Sequence, residues 1–335
     1  MDGRYLGYVT YHDPLRGFLS QIVRDRLGIR RHDAEFRVFR LSGSNEVYGY
    51  QETSSGAKVI CKFYGSRFGP DRDKAAGLAA REYEGLERLR GYGLIGSPHH
   101  VVRPLGLEPE INGVLATEYY SGETLSQAIA RAAGDGDDTH LRHRLGSLAW
   151  FLATQHNRTA DGQTVDFDAD GRYFGCLVER LRLRNRIGDW KVDELNWLRG
   201  LWLERPRMWH DRQVWLHGDA TPANFLFGNG FNVGAIDLER VRRGDRVFDV
   251  GRVAGELQHA FMLVGSPERA EPFIGHFLWE YCGHFPDCRR AFDSLRARVP
   301  FYLAMNLLRI AANGYISERH GRRLVREAGR LLRTP

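Results

Sequence analysis

The stretch VWLHGDATPANFLF, Val214 to Phe227, sets an apolar run against polar residues that do not belong in one. Val214, Trp215 and Leu216 are ready for burial, His217-Gly218-Asp219 interrupts them, and Phe225-Leu226-Phe227 resumes directly after Asn224. Burying a carboxylate and an amide between hydrophobic segments is costly unless each finds a partner. As turn formers, Asp and Asn would each be explained singly. The combined pattern H-G-D-x4-N is rarer, arising by chance in about one chain in a thousand of this length.

A second acid, Asp237, closes the apolar segment of GAIDLER (234–240). Two acids and an amide are the groups that phosphoryl transfer requires. One carboxylate accepts or orients the proton of the attacking hydroxyl, and hard oxygen ligands hold the metal that neutralises the phosphates. Asp219 suits the first role, Asn224 and Asp237 the second. The spacing resembles the H-R-D-x4-N catalytic loop of protein kinases, with the metal-binding Asp on the next hairpin.

Upstream, residues 13–28 carry Leu15, Leu19, Ile22, Val23 and Leu27 at helical spacing. Three strand patterns follow, FRVFRL (36–41), VYGYQ (47–51) and KVICKFY (58–64), separated by turn-rich SGSNE and ETSSGA. They read as an antiparallel meander. A helix is expected from Asp71 to about Arg90, then strands in HVVRPLGL and GVLATEYY. After Gly122 the chain reads as helical, apart from the opening stretch and the segments 225–227 and 233–236, with polar loops at 132–140 and 160–171. The expected division is an N-terminal helical extension (1–35), a β-rich lobe (36–119) and a helical lobe (120–335).

Lys62 lies inside a strand, where an unpaired ammonium is expensive, so a partner is expected. The following helix offers Glu82, with Glu84 and Glu87 as alternatives; Glu84 points about 200° round the helix from Glu82. A strand lysine paired with a helix glutamate, reaching the nucleotide phosphates, is a kinase arrangement. Ser42-Gly43-Ser44-Asn45, between the first two strands, offers backbone N–H groups of the kind that bind anions in tight turns. Gly91, Gly93 and Gly96 match G-x-G-x-x-G, but they follow a helix instead of a strand, and read as helix-terminating glycines.

The totals fit this reading. The chain has 335 residues, 42% hydrophobic and 27% charged, the profile of a globular protein. No apolar run approaches the roughly 20 residues of a membrane span, and the first residues show no export signal. Cys61, Cys176, Cys282 and Cys288 form no metal-binding spacing, so reduced thiols in a cytoplasmic protein are expected. The net charge is +6, and residues 286–335 hold eleven arginines against four acids. A solvated helix face accounts for such a run, and an anionic partner is the alternative.

The segments taken together resemble the aminoglycoside phosphotransferase and choline kinase family, small-molecule kinases with a protein-kinase-like fold. SGSNEVY resembles its nucleotide loop, VICKFY and AREYEGL its Lys–Glu pair, LATEYYSGETL its hinge, and LGSLAWFLATQHN the helix before its catalytic loop. HGDATPANFLF and GAIDLER resemble the catalytic and metal loops, and RRGDRVFDVGRVAGEL the segment whose buried Asp, here Asp249, braces the catalytic loop. The resemblance covers roughly residues 36 to 260. It implies an α+β bilobal fold, with a small antiparallel sheet and one main helix in the first lobe and a larger helical second lobe. It further implies ATP or GTP as donor, Mg2+, and transfer to a hydroxyl group with Asp219 as catalytic base. Lys62, Glu82, Ser42, Gly43, Ser44, Asn45, Glu118 and Tyr120 would bind nucleotide, Asn224 and Asp237 the metal, and His217 and Asp249 would support the loop.

The sequence departs from the family at Ala220-Thr221, where Leu-His is frequent, and Asp237 is not followed by Phe-Gly as in protein kinases. Glu239, two residues beyond Asp237, either orients a substrate or pairs with a nearby arginine, and the pairing is the expectation. The basic C-terminal region argues against a polycationic aminoglycoside acceptor and for a sugar, sugar phosphate or similar hydroxylated metabolite. Trp197, Trp202, Trp209 and Trp215 serve either sugar stacking or core packing. A kinase acting on protein side chains and a catalytically silent nucleotide- or protein-binding module are the alternatives. No nucleic-acid module is recognisable.

Overall fold

A computed structural model describes residues 3–29, 34–41, 46–65 and 71–333. The chain divides into two compact units, Met1–Ser121 with Gly234–Arg240, and Gly122–Val233 with Val241–Pro335.

The first unit contains β1 (Arg4–Tyr8), α1 (Pro14–Leu27), β2 (Phe36–Arg40), β3 (Glu46–Glu52), β4 (Lys58–Phe63), α2 (Arg72–Gly91), β5 (Ile95–Gly96), β6 (His99–Val101), β7 (Pro104–Glu108) and β8 (Val114–Glu118). Its main sheet runs β1-β2-β3-β4-β8-β7 and is antiparallel throughout. Residues 4–8 thus add a strand to the sheet ahead of the expected helix. HVVRPLGL, read as one strand, divides into β6 and β7, because Pro104 supplies no N–H to continue a ladder.

Alternation along β4 distributes the two helices. Val59 and Cys61 are fully buried in one cluster with Leu15, Leu19, Ile22 and Val23 of α1. Lys62 points the other way, toward α2. Helix α1 starts because the Asp13 side chain accepts the Leu15 N–H at 3.0 Å and Pro14 needs no partner; it stops at Gly28 in the left-handed region. Helix α2 ends at Gly91, and Gly93 has φ 82°, so those glycines do terminate a helix.

The second unit contains β9 (Glu123–Thr124), α3 (Leu125–Asp135), α4 (Asp138–Thr159), α5 (Phe167–Leu183), α6 (Asp189–Leu203), β10 (Val214–Leu216) and β11 (Phe225–Phe227). After β12 (Val233–Ala235) it resumes with β13 (Arg242–Gly244), α7 (Val247–Leu263), α8 (Ala270–Cys282), α9 (Cys288–Ala311) and α10 (Glu318–Leu332). The expected loop at 132–140 is mostly helix. Thr124 and Gln127 form a capping box for α3, Gly136 ends it at φ 74°, and the Asp137 side chain caps α4. The expected loop at 160–171 likewise ends at Asp166, since Phe167 starts α5 as a fully buried core residue. Polarity in both stretches reflected caps and solvent-facing turns. The expected α+β class holds: an antiparallel sheet first, then a larger helical part.

Helices α7 and α9 approach closely at Gly251 and Gly255. A Cβ on Gly251 would lie 2.4 Å from Tyr302 Cβ, and one on Gly255 2.7 Å from Asn306 Nδ2. This contact holds the start of α7 in place, which matters for the site below.

Candidate active site

Glu82 occupies the buried stripe of α2 made by Ala75, Ala79, Glu82, Leu86 and Leu89. Those positions repeat at helical spacing, so Glu82 turns inward while Glu84 and Glu87 stay exposed. Lys62 on β4 meets it, with Nζ 2.7 Å from Glu82 Oε2. The same ammonium lies 2.5 Å from Asp237 Oδ1 and 3.1 Å from Glu239 Oε2. Glu239 Oε1 also stands 3.6 Å from the exposed Arg240, so the expected arginine partner exists beside the lysine. The Tyr64 hydroxyl donates to Glu82.

Three carboxylates around one ammonium shape its titration. Burial opposes the Lys62 charge, but Glu82 and Asp237 outweigh it and hold the pKa above the usual lysine range. For Glu82 burial dominates, and although Lys62 opposes it the carboxyl is pushed up to about 7. Asp237 has φ 62°, in the left-handed region that few residues other than glycine enter. Short polar side chains such as Asp tolerate it best, and sites of this kind cluster where function over-determines the backbone.

Glu118 and Tyr120 follow at the end of β8. Glu118 Oε1 accepts the Arg103 N–H and lies 2.5 Å from His100 Nε2. Burial works against its charge, but His100 and the Arg103 amide keep the carboxyl below its usual range. Tyr120 stacks on His100 at 5.5 Å and lies so close over Gly234 that a Cβ there would come within 2.7 Å of its ring. Ser42, Gly43, Ser44 and Asn45 lie outside the described residues.

The opening stretch finds its partners in the second unit. Asp249, fully buried in the first turn of α7, accepts the backbone N–H groups of His217 at 2.7 Å and Gly218 at 3.0 Å. Its third partner is His156 Nε2 at 3.2 Å, while His156 Nδ1 lies 2.9 Å from the Tyr281 hydroxyl. A carboxylate only accepts, so Nε2 carries the proton and Nδ1 accepts from tyrosine. Burial disfavours the Asp249 charge, yet these donors and the nearby His217 hold its carboxyl below the usual range. Burial likewise lowers the pKa of His156.

Gly218 bends the loop at φ 79°. The Asp219 carbonyl then accepts the Thr221 N–H at 2.7 Å and Asn224 Nδ2 at 2.9 Å. Asn224 closes a single 3-10 turn, Pro222–Asn224, and its side chain fastens the loop to its own start. Arg252, one turn beyond Asp249 on α7, donates to Asp219 Oδ1.

Lys62, Glu82 and Asp237 are thus brought together in the first unit, and Asp219, Asn224, His217 and Asp249 in the second. Arg252, Tyr64 and His156 escaped the sequence reading. For Arg252 a signal existed, since three residues after Asp249 is the same helix face. Of the tryptophans, Trp202 and Trp209 are packing residues whose Nε1 groups donate to the Leu332 and Leu203 carbonyls, each at 2.9 Å. Trp215 lies under the Arg243 guanidinium, and Trp197 is exposed.

Comparison with known proteins places this geometry in context. A profile described as the phosphotransferase enzyme family matches residues 31–290. No curated protein sequence matches the chain. Among solved structures, the chain resembles a Plasmodium vivax ethanolamine kinase at 13% identity and TM-score 0.58, covering 96% of this chain and 88% of that one. It resembles the GDP complex of aminoglycoside 2′-phosphotransferase-IIIa at 15% identity and TM-score 0.56, covering 95% and 99%. The streptomycin–ATP ternary complex of APH(2″)-IIa aligns at 15% identity and TM-score 0.54, covering 97% of both chains. These similarities show a shared kinase-like fold. With its motifs in order and the profile spanning most of its length, the chain belongs to the phosphotransferase enzyme family and is a small-molecule kinase.

Proposed function

We propose that the protein moves the γ-phosphate of ATP or GTP to a hydroxyl group of a small molecule, with Mg2+, and with Asp219 as the catalytic base. The observation that carries this reading is the loop 217–224. Its backbone is held by a buried carboxylate and its side-chain amide is turned inward, leaving a rigid mount for one acid. Catalysis of phosphoryl transfer is mainly positioning and electrostatics, and such a mount supplies positioning.

In the proposed reaction Asp219 takes the proton of the acceptor hydroxyl as its oxygen attacks the γ-phosphorus. The bond from that phosphorus to the β–γ bridging oxygen breaks, and the nucleoside diphosphate leaves. Lys62, oriented by Glu82, binds the donor's phosphates, and Glu118, Tyr120, Ser42, Gly43, Ser44 and Asn45 take part in nucleotide binding. His217 and Asp249 keep the catalytic loop in shape.

Asn224 and Asp237 are the proposed metal ligands. Asn224 Nδ2 is committed to the Asp219 carbonyl, so the amide oxygen is its ligand atom. Around Asp237 the donors are all hard: oxygens of Glu82, Asp237 and Glu239 lie within 4.8 Å of one another, with no thiolate or imidazole among them. That chemistry fits Mg2+, which when bound neutralises triphosphate charge. In the similar structures the bound nucleotide is ATP in one and GDP in another, which supports a purine nucleotide donor here without choosing between them.

The test is a mass-spectrometric search for newly phosphorylated compounds in a metabolite extract, with the protein, Mg-ATP or Mg-GTP, and Asp219→Asn as control. A phosphorylated small molecule formed only by the wild type is the expected result. Phosphate appearing on protein instead, or equal product from Asp219→Asn, would overturn the reading.

A further inference from the structure

The first turns of α7 grip the catalytic loop twice. Asp249 takes the backbone amides of His217 and Gly218, and Arg252, three residues later on the same face, donates to the carboxylate of Asp219. Arg252 is itself buried, with 4% of its side chain exposed against 14% for Asp219. A guanidinium in such a place needs both a counter-charge and a fixed seat.

The seat is built from every side. The guanidinium lies 5.0 Å over the Phe248 ring. The Arg252 carbonyl accepts Asn306 Nδ2 of α9 at 3.2 Å. Gly251 and Gly255 bracket Arg252 on α7 and let α9 approach to a distance at which any side chain would collide, so this part of α7 has little room to shift. Arg309, on the facing α9, is paired with Glu256 and held at Nε by Asn306 Oδ1 at 2.8 Å. The carboxylate to which Arg252 donates is that of Asp219.

We propose that Arg252 is a positioning residue: it fixes the rotamer of Asp219 on a loop whose backbone Asp249 has already fixed. The proposal rests on the reading of Asp219 as the catalytic base. It gives α7 a specific task, since one helix face sets both the path of the loop and the direction of its acid. Arg252 reaches the reaction only through Asp219.

The experiment measures phosphate release from Mg-ATP, or Mg-GTP, with water as acceptor, in the full chain carrying Arg252→Met, Arg252→Lys, Asp219→Asn, or Asp219→Asn with Arg252→Met. Arg252→Met is expected to lower kcat about 100-fold, the scale of a misplaced catalytic group, with the KM for nucleotide unchanged within twofold. Arg252→Lys, which keeps the charge but not the planar fork, recovers to about tenfold below wild type. The double variant is no slower than Asp219→Asn alone, as expected for residues acting as a unit. Wild-type kcat in Arg252→Lys and Arg252→Met overturns the proposal, as does a KM that rises in step with the fall in kcat. If Arg252→Met does not fold, Arg252→Lys decides by the same split of kcat from KM. A wild-type rate in Asp219→Asn instead overturns the base assignment, a separate failure.

Discussion

Lys62 and Asp237 stand 2.5 Å apart, nitrogen to oxygen, although 175 positions separate them in the chain. With Glu82 and Glu239 they make a cluster of one ammonium and three carboxylates. Acids outnumber the ammonium in that cluster, which is why Lys62 is held so tightly.

Lys62→Met removes the ammonium that Glu82 is paired with and leaves that carboxyl almost wholly buried. Breaking a buried ion pair from one side costs about 3 kcal/mol, at the low end of the usual range because Asp237 and Glu239 are partly solvated. The expected outcome in thermal unfolding is a lower Tm, partly restored by millimolar MgCl2 because a ligand of the native state stabilises it. A Tm at or above the wild-type value would contradict the account.

Asp249→Ala strips the acceptor from two buried amides, those of His217 and Gly218. Each lost bond to a charged group is worth about 1.5–3 kcal/mol, so a loss of about 3–6 kcal/mol in urea unfolding is expected for the two. Faster hydrogen exchange at those two amides would place the effect on the catalytic loop. Unchanged protection there would mean that Asp249 does not brace it.

Acid should act on the same pair in two stages. His156 has a lowered pKa in the fold, so below about pH 6.5 the unfolded chain binds a proton that the native state refuses, and stability falls. Asp249 has a lowered pKa, so its contribution is present above the ordinary carboxylate value and is lost as pH falls through the folded one, below about pH 4. A Tm series from pH 8 to pH 3 should show both steps, and His156→Gln should remove the first. A His156→Gln curve parallel to wild type between pH 7 and pH 5 would rule this out.

Gly251→Ala tests the packing that seats α7. Alanine is the better helix former by about 1 kcal/mol. Here its Cβ would meet Tyr302 Cβ at 2.4 Å and the Tyr302 carbonyl carbon at 3.1 Å, and backbone on one side cannot yield cheaply. Overpacking wins, and a net loss of about 1–2 kcal/mol is expected by urea denaturation. A stabilised variant would show that α7 and α9 are free to separate.

Much of the site is legible in the sequence, for a physical reason in each case. Lys62 stood out because a charge inside a strand needs a partner, and the next helix offered Glu82, Glu84 and Glu87; burial along that helix chose Glu82. The loop 217–224 stood out because polar residues broke an apolar run. The stretch around 132–140 was misread because a capping box and an Asp cap look, in composition, like a loop. Strand β1 escaped because its exposed edge, with only Gly7 partly covered, carries no alternation to read.

The order of residues dictates which groups are present and how each segment folds locally, since periodicity, capping and turn chemistry act between neighbours. It therefore announced an acid-and-amide loop, a strand lysine and a helical glutamate. How the partners are shared out follows from the folded chain: Lys62 holds Glu239 as well as Glu82 and Asp237, Asp249 takes two loop amides and His156, and Arg252 goes to Asp219. Periodicity names the face a side chain turns to. What waits on that face is settled by the packing of distant segments, as when two glycines bring α9 against α7 and fix where an arginine between them must lie.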